Sequence, residues 1–531
     1  VTGWVGIVQA SLAALGGAVF AWEALARRRA AVSSPTRAAP GTRAPGRHRR
    51  ETDRAADGGR ARRRGLLLVL AGLASLGGWN FLTFRNGQYL HAWDIYHHYM
   101  GSKYFRELGY LRLYECAAAA DLEDGAVPDP SLLMYRSLST NRIESGAPIV
   151  EDPGLCTRHF TRERWLAFKK DIGWFRDALG PTLWEQAQFD HGYNASPVWT
   201  LIGGTLAALV PATQGGILFL SLLDPLLIAA MWASVGWAFG IEPLCLSLLY
   251  WGTNYPGAFD WMGGAFLRQD WLALTILALA LVRRGRPLLG GAALAAASLL
   301  RLAPVVAGVG LLAWTIAAAA RRRPGALAST GRVALGGLAA AAILLPAAAL
   351  AGGDAAAWRD FHGRLQLQRQ SPAAINLGLE TLLGRDRTTR LEVTADKTAR
   401  YPIQRWEEEQ QRVRQSRAGI VRIVALLCLA PLLVAAARAG EEWVALALGI
   451  GAIPIVFDLP CYYESVLLGL CLIVARRPAW GAAFCGLSLF TRVAPVVWSW
   501  YDDIFFWSSA GVVTFVVALA VAWGLWPRRD P

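Results

Sequence analysis

Apolar runs of roughly 20 residues recur along most of the chain and constrain its fold more than any other feature. Inside a bilayer no water satisfies backbone N–H and C=O groups, so each crossing takes such a run in helical form. About 13 or 14 runs can be read, near 3–22, 65–84, 197–213, 216–239, 242–256, 266–282, 287–300, 304–320, 332–351, 419–437, 442–457, 462–475, 479–497 and 509–526. The expected fold is an all-α polytopic membrane protein, a bundle of about 13–14 transmembrane helices with two large loops.

The net charge of +14 is concentrated: residues 27–64 hold thirteen arginines against Glu51, Asp53 and Asp57. That segment is rich in Ala, Pro and Gly and has almost no large apolar residue, so a disordered linker is expected. The charge marks a cytoplasmic face beside anionic lipid. No aromatic interleaving or binding motif accompanies it, so no nucleic-acid partner is expected.

Arginines at 283–286, 321–323, 476–477 and 528–529 extend the cytoplasmic marking. The chain then divides into a first span (1–26), the linker (27–64), a core (65–351) containing an outer loop at 85–196, a second outer loop (352–418) and C-terminal spans (419–531). Four apparent crossings between 197 and 282 give the wrong parity for Arg283. One is expected to be re-entrant, or split at Asp224-Pro225, where proline removes a helix hydrogen bond.

In the first loop, Thr161 starts an amphipathic pattern of Trp165, Phe168, Ile172, Phe175 and Leu179, suited to a membrane surface or to a small soluble core. Cys116 and Cys156 are the two cysteines of the outer loops, and on an oxidising side they are expected to pair. Cys245, Cys428, Cys461, Cys471 and Cys485 read as small apolar fillers. No CxxC or HExxH spacing occurs, and neither a resident metal nor a cofactor is expected.

Polar residues able to carry chemistry collect at the outer ends of the runs. Asp94, in Ala92-Trp93-Asp94-Ile95-Tyr96-His97-His98-Tyr99, is the candidate general base, because partial desolvation tunes a carboxylate and a hydroxyl can give it a proton. His97 and His98 are placed to bind phosphate or hold Asp94, and Lys103 follows. Asp190 and Asn194 precede a span start, where they cap free N–H groups or line an anion site. Arg268 and Asp270 bracket another start.

Arg301 interrupts apolar sequence, and a charge at bilayer depth costs roughly 2.5 to 3.5 kcal/mol, so it calls for a partner or an aqueous cavity. Its planar fork suits phosphate oxygens. His362 and Asn376 in the second loop, then Tyr462, Tyr463 and Glu464, complete the candidate binding residues. Asp502-Asp503 leaves room for a divalent ion.

This pattern resembles the GT-C superfamily of integral-membrane glycosyltransferases, and within it the bacterial branch that uses polyprenol-phosphate mannose. The resemblance rests on the loop acid Asp94 and the ending Gly109-Tyr110-Leu111-Arg112-Leu113-Tyr114. Tyr193-Asn194-Ala195-Ser196-Pro197, the small-residue stretch Gly290 to Pro304 with Arg301 in place of lysine, and Asn376-Leu377-Gly378-Leu379 also carry it. The Asp190 motif, the Arg268-to-Asp270 motif and the long first loop depart from it.

The resemblance implies an inverting transfer at the extracytoplasmic face of a bacterial inner membrane. The donor would be a polyprenyl-phosphate-linked sugar and the acceptor a hydroxyl of a glycan, lipid or protein. A transporter or flippase for a lipid-linked or anionic solute is the competing reading, though the sequence shows no convincing paired repeat. A non-catalytic scaffold is the third.

Overall fold

The computed structural model describes residues 3–33, 46–84, 87–352 and 356–525. The protein is 75% helical with almost no sheet, an all-α polytopic membrane protein. Among the described residues, seven helical stretches are long and apolar enough to cross a bilayer: Trp4–Ala26, Gln214–Phe239, Ala303–Ala320, Ala326–Leu350, Gln404–Ala437, Trp480–Val497 and Tyr501–Leu525.

The 13 or 14 runs thus do not all become full-length helices. Pro197–Leu209, Pro287–Leu300, Glu442–Val456 and Cys461–Ala475 are shorter apolar helices. Prolines open or interrupt several of them, removing N–H donors and limiting helix length. Where two such helices touch, small residues let them approach. A Cβ on Gly291 would collide with the Val333 carbonyl, and one on Gly336 with that of Leu288, so Pro287–Leu300 and Ala326–Gly352 pack backbone to backbone.

At one end of the bundle, arginines line the short connections. Arg63 pairs with Glu23 and Glu242, and Arg284 donates to the Trp237 carbonyl. Arg321 donates to Ala437 O at 3.1 Å, Arg438 to Gly524 O, and Arg476 pairs with Glu441. The opposite end carries both large loops.

The run 197–213 begins and ends at this opposite end. Tyr110 donates to Ala195 O at 2.9 Å, Tyr99 to Val210 O at 2.7 Å and Tyr89 to Ser221 O at 3.4 Å. This run is therefore the one of the four that turns back.

Helix α1, Trp4–Ser33, and helix α2, Gly46–Gly77, both extend into the arginine-rich segment expected to be a disordered linker. The linker reading is corrected to two helix extensions, because Ala and Arg are strong helix formers and continue helices already nucleated in the apolar runs. Its centre, 34–45, lies outside the described residues.

The first loop folds into a cap. Helix α3, Ala92–Lys103, lies under the helix Arg162–Ala187, which buries Trp165, Phe168, Ile172 and Phe175. The amphipathic face therefore serves a small protein core. Thr161 caps that helix by accepting from Arg164 N, and Cys116 is bonded to Cys156 beside it. Strands β1, Met134–Ser137, and β2, Arg142–Ser145, form an antiparallel hairpin in the same loop.

Candidate functional site

The start of α3 is built to hold Asp94 in its first turn. His91 Nδ1 accepts the Asp94 backbone N–H at 3.2 Å, and His91 N donates to Gly264 O at 3.0 Å. A carboxylate here also meets the positive end of the helix dipole. One turn on, His98 lies on the same face, its Nδ1 3.1 Å from Asp94 O and 3.5 Å from Asp94 Oδ2.

Two arginines converge on the other ring nitrogen. His98 Nε2 is 2.7 Å from Arg268 Nη1 and 3.5 Å from Arg301 Nη2. A guanidinium only donates, so this network assigns Nε2 as acceptor, Nδ1–H as donor and the ring as neutral. Burial, then the Arg268 charge, holds the His98 pKa well below its usual 6.5.

Arg268 also faces Asp94, Nε to Oδ1 3.4 Å, and donates through Nη2 to Tyr462 OH at 3.2 Å. Burial pushes the Asp94 carboxyl up, but the Arg268 guanidinium beside it is the largest opposing influence and its pKa is held below 3.8, so it is ionised at neutral pH. Arg268 is fixed from behind by Asp224, whose carboxylate accepts the N–H groups of Arg268 (2.9 Å, Oδ2) and Gln269 (3.0 Å). Asp224, in the first turn of its own helix, thus caps the turn before another.

Arg301 ends the helix Pro287–Leu300 as its C-cap, where a cation meets the dipole's negative end. Its guanidinium is 6.0 Å from the Trp199 ring, and that ring stands edge-on to His98 at 5.0 Å. Asp94, His98, Arg268, Arg301, Tyr462 and Trp199 thus form one buried or half-buried cluster at the loop-bearing end. Beside it, Tyr462, Asp224 and Gln269 join Trp79, Tyr89 and Phe259 around a narrow hollow of about 30 Å³.

Other candidates support this cluster without joining it. Asp190 accepts from Trp93 Nε1 at 2.7 Å, orienting the residue before Asp94, and Asn194 is half-buried nearby in the chain. His97 is held by Tyr114 OH at 2.7 Å and faces Ala187 O at 3.3 Å, a structural role. Tyr463 packs on Trp271 with ring centres 5.1 Å apart. Asp270 accepts from Trp271 N at 2.7 Å, with Arg301 and Arg268 as its charged neighbours.

Four expected binding residues are corrected. Lys103 is engaged by Asp171 at 2.7 Å and Tyr99 OH at 2.7 Å, and so points into the cap. His362 is exposed and bonded to Gln366, since its helix turns Arg364 inward instead. Asn376 donates to Asp458 at 2.7 Å within the short pairing of β3, Asn376–Leu377, with β4, Leu459–Pro460. Glu464 is buried against Tyr250 and Asn254. Asp503 is taken by Arg385 and Arg390, and Asp502 by Leu391 N, so neither is set up to receive a divalent ion.

Three contributors escaped the sequence reading. Trp199 donates to Leu267 O at 3.0 Å, tying its helix to the turn before Arg268. Gly264, at φ +71°, lets the Tyr89 backbone pass where a Cβ would sit. Arg364 donates to Leu138 O at 2.9 Å and to His191 O, joining the second loop to the first. No signal in one sequence marks such long-range pairings. No family model matches the chain, and no curated protein or solved structure matches it either.

Proposed function

We propose that the protein is a membrane glycosyltransferase that moves a hexose, of mannosyl type by the resemblance, from a polyprenyl-phosphate donor to an acceptor hydroxyl. Its arginine-rich end would face the cytoplasm of a bacterium, by the positive-inside rule, and the cluster would open on the extracytoplasmic side. The observation that carries this reading is the placement of His98: the ionised Asp94 carboxylate lies 3.5 Å from one ring nitrogen, and two guanidiniums meet the other. A base for an alcohol and a cationic seat for a phosphate then lie within one side chain of each other.

In the proposed step the acceptor oxygen attacks the anomeric carbon from the face opposite the phosphate, giving inversion. Its proton passes to Asp94 Oδ2, which has no hydrogen-bond partner among the described residues. The bond from C1 to the phosphate oxygen breaks, and its electron pair leaves on the lipid phosphate. Arg268 and Arg301 meet the growing charge, and such fixed cations act most strongly where water is excluded. The aromatic hollow beside Tyr462 supplies faces for sugar and isoprenoid.

The test is transfer by the purified protein in nanodiscs from a panel of radiolabelled polyprenyl-phosphate sugars, with Asp94→Asn in parallel. Turnover in the parent and a loss of about 10²-fold or more in the variant, with folding and donor binding retained, supports the reading. Turnover indifferent to Asp94, or donor movement across the bilayer without glycosidic transfer, overturns it.

A further inference from the structure

The two loops meet at a second hollow that the proposed reaction leaves unused. A polar pocket of about 140 Å³ opens between the β1–β2 hairpin, the end of the helix Ala356–Arg369 and the start of the helix Gln404–Ala437. Its floor is the buried pair of Arg136 and Glu407, Nη2 to Oε1 3.3 Å, braced by Tyr401 OH at 2.6 Å from Arg136. Asn141, Gln370, Ser371, Gln404 and Gln411 line it with groups that both donate and accept hydrogen bonds.

The charges around it cancel, Arg136 and Arg142 standing against Glu407 and Glu408. Such a site has no net charge to draw an anion or a cation, and no broad apolar wall for a lipid tail. Its amide and hydroxyl groups match the vicinal hydroxyls of an uncharged sugar. The pocket is also tied to the cluster. Asn141 Oδ1 lies 3.5 Å from His191 Nδ1, and His191 N donates to Asp190 at 2.7 Å. Asp190 in turn holds Trp93, next to Asp94.

We propose that this pocket binds a neutral oligosaccharide, the non-reacting part of the acceptor, and so supplies binding energy remote from the transferred group. Its role as an acceptor subsite rests on the transferase reading; its affinity for sugar does not.

Saturation-transfer NMR on the full chain in nanodiscs, with neutral di- to tetrasaccharides of glucose, mannose and galactose at millimolar concentration, tests it. At least one should bind, and the double variant Gln370→Ala, Gln411→Ala should weaken binding at least tenfold while its Tm matches the parent. Asp94→Asn should bind the same sugar unchanged. In the transfer assay the double variant should raise acceptor KM about tenfold and leave kcat and acceptor-free donor hydrolysis alone.

Silence across the panel, binding that survives the double variant, or preference for an acidic peptide overturns the pocket. Sugar binding without transferase activity keeps the pocket and sinks the transferase. Transfer with an unchanged acceptor KM in the double variant sinks the acceptor-subsite role alone.

Discussion

Arg268 Nε lies 3.4 Å from Asp94 Oδ1, inside a cluster where both side chains are largely withdrawn from water. Burial alone would push the carboxyl up, and the guanidinium is the largest influence opposing it. Arg268→Gln removes that opposition while keeping a side chain able to bond Tyr462. The acid limb of the pH–activity profile should then move to higher pH, because the carboxyl loses the cation that most favours its ionised form. Profiles of kcat/KM for parent and variant check this; coincident acid limbs would mean Asp94 is not the titrating base.

Gly264 sets the distance between the turn before α3 and the turn before Arg268. Its φ is +71°, a Cβ would strike the Tyr89 carbonyl, and its own carbonyl receives His91 N. Gly264→Ala should cost about 1–3 kcal/mol in backbone strain. It should also depress activity beyond that loss, by displacing Asp94 from Arg268. Gly285, at φ +71° with open space around it at the arginine-rich end, is the control: Gly285→Ala carries the conformational cost without touching the cluster. Tm and initial rates on both variants separate the two effects.

The bond between Cys116 and Cys156, with Cα atoms 5.3 Å apart, closes a loop of 40 residues. Chain entropy for that length gives about 4 kcal/mol of stabilisation, on a model that treats the unfolded cap as a free coil. The double variant Cys116→Ser, Cys156→Ser should therefore expose the segment 85–196 to trypsin at low protease concentration. The apolar helices should keep their circular dichroism. Equal cleavage rates with and without the bond would show that the cap's core alone holds it.

The class of fold was legible because apolar run length is a one-dimensional property, and so was the end of the bundle at which Asp94, Arg268, Arg301 and Tyr462 lie. The number of full-length helices was less so, because run length does not say where a proline shortens a helix or where 197–213 turns back. Candidate chemistry was legible as residue type and position in a run. Which candidates meet was not: Lys103 and Arg268 look alike in sequence, yet one is taken by Asp171 and the other reaches His98. Asp224 shows the same limit, since its partners lie more than 40 residues away.

The neutral state of His98 has a consequence for stability. Its pKa in the folded protein lies well below 6.5, first through burial and then through Arg268. His191 is shifted the same way, through burial and then Arg136. On acidification the unfolded chain takes up protons at 6.5 that the folded chain refuses, so both contributions are complete above that pH and are lost as it falls. Tm in nanodiscs should fall steadily from pH 7 to pH 5. His98→Gln, which can still accept from Arg268, should show a lower Tm at pH 8 but a shallower decline. A parallel decline would place the pH sensitivity elsewhere.

Arg301 carries the most available charge in the cluster. It is buried, its hydrogen bond to His98 Nε2 is long at 3.5 Å, and its guanidinium offers further donors in a planar fork. Hydrogen bonds to a charged group are worth about 1.5–3 kcal/mol, so losing them to a phosphate should weaken binding roughly tenfold to a hundredfold. Arg301→Gln should show that loss for a short-chain prenyl phosphate, and Arg301→Lys should recover only part of it, because an ammonium cannot make the paired contact. Inorganic phosphate should raise the Tm of the parent and not that of Arg301→Gln. If the glutamine variant binds prenyl phosphate as the parent does, Arg301 serves only to end its helix, and the cationic seat must be built on Arg268 alone.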